Sequence, residues 1–175
     1  MLLKTISDAI PFPLVHNSNH WIMNIESVLE FFYFSYFFYQ ILKNNKYKKL
    51  IKVFVMAYPI ILAISFLTVQ NYYTFHTYTY ILGELYLITL CLFFYRELYT
   101  DNDFKKLSTL PEFWIVTGLF IFSVGELPYM ILLNYLNTHH RLISRIFRIN
   151  ILGSLNILMY IMFSIGLLCR VRVQK

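Results

Sequence analysis

Five apolar stretches, each of roughly 20 residues, follow one another along this 175-residue chain with only short polar connections between them. A helix of about 20 residues rises the roughly 30 Å of a bilayer's hydrocarbon core. Within hydrocarbon every backbone N–H and C=O must be paired inside the protein, which leaves helices and closed barrels as spanning structures. A membrane barrel reads as segments of about 10 residues alternating apolar and polar, and no such alternation occurs here. The expectation is an all-α membrane protein, a bundle of five transmembrane helices over about 21–42, 50–69, 78–95, 113–133 and 149–169. Residues 1–175 then form a single polytopic domain, with 1–20 as an external arm. Composition agrees: 58% of residues are hydrophobic and 14% charged, against about a quarter charged in soluble domains.

Lysine and arginine set the expected orientation. Lys43, Lys46, Lys48, Lys49 and Lys52 follow the first span, Arg96, Lys105 and Lys106 follow the third, and Arg170, Arg172 and Lys175 follow the fifth. Lys4, Arg141, Arg145 and Arg148 lie on the other side. The positive-inside rule places the first group in the cytoplasm, so the N-terminus is expected outside and the C-terminus cytoplasmic, in a bacterial inner membrane. Arg141, Arg145 and Arg148 recur every three to four residues, as on one face of a short helix preceding the fifth span. The net charge of +6 is accounted for by lysines meeting anionic lipid headgroups, with no nucleic-acid partner required. Asp8, Pro11 and Pro13 interrupt the N-terminal segment, which does not read as a signal peptide; an external arm with a short interfacial helix over 2–10 is expected instead.

Four of the nine acidic residues, Glu26, Glu30, Glu84 and Glu126, fall inside apolar stretches. A charge carried into hydrocarbon costs at least about 2.5 kcal/mol, so such residues face a bundle interior or a wet cavity and often carry function. At 1.5 Å per residue all four, with Asn156, lie in the outer half of their spans. Glu26 and Glu30 are four apart and share a helix face, as do Ser123 and Glu126, three apart. The candidate ligand or ion pocket therefore comprises Glu26, Glu30, Glu84, Glu126, Asn156 and Arg148. Converging carboxylates need compensation: from Arg145, Arg148, His20 and His76 near the rim, from protonation, or from a bound cation or amine. The competing structural reading solvates Glu26 and Glu84 at the headgroups and leaves Glu30 and Glu126 neutral, hydrogen-bonded to Asn156, Ser123 or a tyrosine.

Catalytic and cofactor signatures are lacking. Cys91 and Cys169 stand alone, with no CxxC or Cys/His pairing for zinc. His139 and His140 are adjacent on an expected loop, and no HExxH, GxSxG or glycine-rich phosphate loop occurs. The chain is read as no enzyme, with no cofactor and no metal. Trp21, Trp114, Tyr72, Tyr73, Tyr78 and Tyr80 read as interfacial anchors. Pro59 and Pro128 sit within spans, and Gly125-Glu126-Leu127-Pro128 combines a flexible residue, an acid and a helix breaker; a kink is favoured there over a broken helix.

The run from Glu30 through the lysines to Lys52, then Phe113, Trp114, Gly118, Leu119, Phe120, Phe122 and Pro128, then Leu155, Asn156, Ile157, Leu158, Met159, Tyr160, Gly166 and Cys169, resembles a group of uncharacterised bacterial multi-pass membrane proteins associated with sensor histidine kinases. Those resemble seven-helix sensory modules, of which this chain would lack the first two helices. The resemblance implies a sensory or signalling input module acting through a separate partner such as a histidine kinase. The alternative is an oligomeric pore, channel or transporter subunit, including phage-defence or CRISPR accessories, in which copies of the chain ring a vestibule with Glu30, Glu84 and Glu126.

Overall fold

A computed structural model describes residues 20–68, 77–100 and 109–173. The N-terminal arm, with its expected interfacial helix, and Tyr72, Tyr73 and His76 lie outside them. Among the described residues the architecture is entirely helical: α1 His20–Ile41, α2 Asn45–Thr68, α3 Thr77–Thr100, α4 Pro111–His139, α5 Arg141–Phe147 and α6 Gly153–Val173, with a π-helical turn at Arg148–Leu152 joining the last two. Three segments are long and apolar enough to cross a membrane: Thr77–Thr100, Pro111–Leu133 and Leu142–Cys169. α1 and α2 have spanning length at 22 and 24 residues, but α1 is diluted by glutamates and tyrosines and α2 opens on lysines.

α4 packs most extensively on α6 and next on α3, while α3 gathers α1 and α2 on its other flank. The main core joins Phe31, Phe34 and Phe38 of α1 to Tyr58 of α2, Leu87, Leu90 and Cys91 of α3 and Val116 and Leu119 of α4. A smaller core joins Tyr129, Met130 and Leu133 of α4 to Leu152 in the π-helical turn. Aromatic faces knit α1 and α2 to α3. Phe31 stacks on Tyr58 at 3.8 Å between ring centroids, Phe54 stacks on Tyr86 at 4.8 Å, and Tyr47 stacks on Phe93 at 4.2 Å. The aromatic run of α1 divides between two faces: Tyr33 and Tyr36 are exposed, whereas Phe31, Phe34 and Phe38 are core.

The helices reach further than hydropathy suggests. Lys46, Lys48 and Lys49 belong to α2 and Arg96 to α3, although the expected spans leave them in loops. Lysine is a good helix former, and the ammonium groups of Lys48 and Lys52 lie over the Tyr39 ring at 5.3 and 5.4 Å. His140 alone separates α4 from α5, and the helical stretch carrying Arg145 and Arg148 runs on into α6. α4 also continues unbroken through Pro128.

The α1–α2 connection is tied down from α3. The backbone N–H groups of Lys43 and Asn44 donate to the Glu97 carboxylate at 2.9 and 2.8 Å, and Lys46 N–H donates to Asn44 Oδ1 at 2.9 Å. One carboxylate thus satisfies two amides in the turn that no helix pairs. Glu97→Ala is expected to cost about 0.5–2 kcal/mol, the range of a lost helix cap. Limited trypsinolysis checks this locally, with faster cutting at Lys43 and Lys46 expected in the variant.

Candidate functional site

Glu84 lies two turns into α3, just after Gly83, which faces the Tyr58 hydroxyl from α2. Its neighbours across the bundle are Glu30 on α1 and Ser123 and Glu126 on α4. Glu84 is 6% exposed, Glu126 5% and Ser123 0%, so these polar side chains are enclosed by this chain's own helices. The Tyr80 hydroxyl donates to Glu126 Oε2 at 3.0 Å, linking α3 to α4. Tyr80 and Glu84 are one turn apart on α3, as are Ser123 and Glu126 on α4, so two helix faces meet with an aromatic hydroxyl, a serine and two acids between them. Glu30 completes the group from α1, within electrostatic reach of both Glu84 and Glu126. Glu26 follows one turn away on the same face and acts on Glu30 in the same manner.

Inside this cluster two polar atoms are buried without a hydrogen-bond partner among the described residues: Glu84 Oε2 and Ser123 Oγ. Ser123 stands beside the Glu84 carboxyl but does not meet hydrogen-bond geometry with it. Leaving such groups unsatisfied costs about 1–3 kcal/mol each, and more for a charged one. Among the described residues no three His, Cys, Asp or Glu side chains are grouped to hold a metal ion.

Two of the expected pocket residues are engaged elsewhere. Arg148 Nε donates to Tyr129 Oη at 3.3 Å, and that hydroxyl also pairs with Ser144 Oγ at 3.2 Å while its ring stacks on Phe147. Asn156 Nδ2 donates to the Leu152 carbonyl of its own helical stretch at 3.0 Å, next to the π-helical turn. Depth alone grouped these two with the acids; helix face separates them. Conversely, Tyr80 reads in the sequence as an interfacial anchor, yet it is the hydrogen-bond donor of the acid cluster. The signal that finds it is its four-residue spacing from Glu84. Tyr78, two residues earlier, is 62% exposed, as an anchor would be.

No protein-family model, curated protein or solved structure matches the chain.

One helix reaches both the cluster and the lysine-rich end. α3 carries Glu84 in the cluster and, 13 residues or about 20 Å further along, Glu97 on the α1–α2 turn. Beside Glu97 a cavity of about 470 Å³ opens between Gln40, Lys43, Phe94 and Glu112. At the acid end the helix meets α1 and α4; at the lysine end it holds the backbone of the connection between α1 and α2.

Proposed function

We propose that the chain is a multi-pass integral membrane protein of a bacterial inner membrane and serves as a sensory or signalling input module. Its five long helical stretches cross the bilayer, with the N-terminal side outside and the lysine-rich end cytoplasmic. Occupancy or ionisation of the polar group around Glu84 shifts α3, and Glu97 carries that shift to the α1–α2 turn, where a separate partner such as a histidine kinase reads it. The observation that carries this reading is that one helix holds both the buried acid and the carboxylate that caps the α1–α2 turn. Enclosure of Glu84 and Glu126 within one chain also supports a site inside the protomer over a ring of acids facing an axis between copies, which is what the pore alternative needs.

The test is partner capture in the native membrane. A photo-crosslinking residue placed at Lys49, on the lysine-rich end, is expected to trap one signalling protein. Glu126→Gln retains an acceptor for Tyr80 and is expected to keep the fold while abolishing the partner's response. Glu126→Leu removes the acceptor that Tyr80 has on α4 and is expected to cost about 1–3 kcal/mol in stability, read as a lower detergent melting temperature. A ring-shaped homo-oligomer that conducts cations in liposomes would overturn this reading in favour of the pore.

A further inference from the structure

The unpartnered oxygens around Glu84 point to an occupant of definite chemistry. Glu84 Oε2 contributes one acceptor with a carboxylate charge, and Ser123 Oγ contributes a neutral hydroxyl that both donates and accepts. Glu30 from α1 and Glu126 from α4 stand around them, and the Tyr80 hydroxyl donates to Glu126. A small positive occupant content with oxygen ligands would meet both atoms at once. A divalent ion is disfavoured because no trio of acidic or imidazole side chains is assembled to hold one among the described residues.

We propose that Glu84 and Ser123 form a binding site for a monovalent cation, sodium, held between α3 and α4 with the Glu30 carboxyl facing it from α1. Resting on the input-module reading, this names what that module responds to. Sodium accepts a carboxylate oxygen and a serine hydroxyl alike as ligands, and one positive charge offsets one of the clustered acids without requiring an arginine or lysine. Joining α3 to α4 through a shared ion tightens the pair that the Tyr80–Glu126 bond already joins, so occupancy changes the position of α3 and with it Glu97.

The full chain, purified in a nonionic detergent at pH 8 in sodium-free buffer, is titrated with sodium chloride or, separately, choline chloride at equal ionic strength. Saturable binding of radioactive sodium is expected, together with a rise in melting temperature on the order of 5 °C when sodium exceeds its dissociation constant about 100-fold. Choline should give neither. Ser123→Ala, a small change in a buried site, should weaken sodium binding about ten-fold or more, and Glu84→Gln should abolish it. Identical melting in the two salts, a melting temperature that follows pH but ignores sodium, or full sodium binding in Ser123→Ala would each overturn the proposal. If Glu84→Gln fails to fold, the wild-type salt comparison and Ser123→Ala still decide it. Partner capture without a sodium response removes only the sodium; a sodium response without partner capture removes only the signalling role.

Discussion

Tyr58→Ala is expected to be among the most damaging single substitutions in the chain, lowering stability by about 3–5 kcal/mol as large aromatic truncations in packed cores do. Tyr58 is 2% exposed and its ring lies flat on Phe31 at 3.8 Å with an interplanar angle of 14°. Phe31 in turn contacts Tyr86 on α3, so the pair couples α1, α2 and α3 at the level of the acid cluster. In a bilayer, association of helices relies on packing more than on expulsion of water, so a cavity here has no hydrophobic compensation and loosens α2 from its neighbours. The melting temperature of the detergent-purified protein is expected to fall by roughly 10 °C, at 2–4 °C per kcal/mol for a chain of this size. Tyr58→Phe keeps the stacked ring and should stay close to wild type. Equal losses in the two variants would assign the role of Tyr58 to its hydroxyl and contradict the packing account.

What the sequence makes legible here follows from which physical signals are local. Helical class comes from the length of apolar runs, a signal carried by each segment alone, and it extends to every described element. Segment ends were read short because hydropathy falls where lysines begin, while the backbone stays helical: Lys46 to Lys52 coil as readily as leucines, with Tyr39 beneath two of their ammonium groups. Convergence of Glu30, Glu84 and Glu126 was anticipated from the cost of charge in hydrocarbon, a constraint that acts on any packing of these helices. The azimuth of each helix was not legible, because it depends on which neighbour it meets. That is why Arg148 and Asn156 turn to Tyr129 and to the Leu152 carbonyl, and why Tyr80 reads in the sequence as an anchor. A π-helical turn at Arg148–Leu152 shifts the face that follows it by about a third of a turn, one residue's worth of rotation, which no helical-wheel reading of α5 and α6 anticipates.

Gly118 shows the opposite dependence, on a neighbour's backbone. α4 approaches α6 where a β-carbon on Gly118 would stand 2.8 Å from Met162 Cβ and 3.2 Å from the Met159 carbonyl oxygen. Seven residues later, on the same face of α4, a β-carbon on Gly125 would meet Leu155 Cδ1 at 2.6 Å, and on α6 one at Gly166 would meet the Pro111 carbonyl at 2.9 Å. Three small residues thus bring two apolar helices close, the arrangement by which helices associate in lipid. At Gly125 the obstacle is the end of a leucine side chain, which can rotate away. At Gly118 it is a β-carbon and a backbone carbonyl, which cannot move without moving the helix. Gly118→Ile is therefore expected to force α4 and α6 apart and cost about 1–3 kcal/mol or more from overpacking, while Gly125→Ala should be milder. Because α6 packs chiefly on α4, separation there leaves it held by the α5 stretch alone. Cysteines introduced at Ser154 and Val124 provide the readout: their crosslinking yield in membranes, compared between wild type and the two glycine variants, should fall in Gly118→Ile and persist in Gly125→Ala. Equal yields in all three would mean that the glycines do not set the α4–α6 distance.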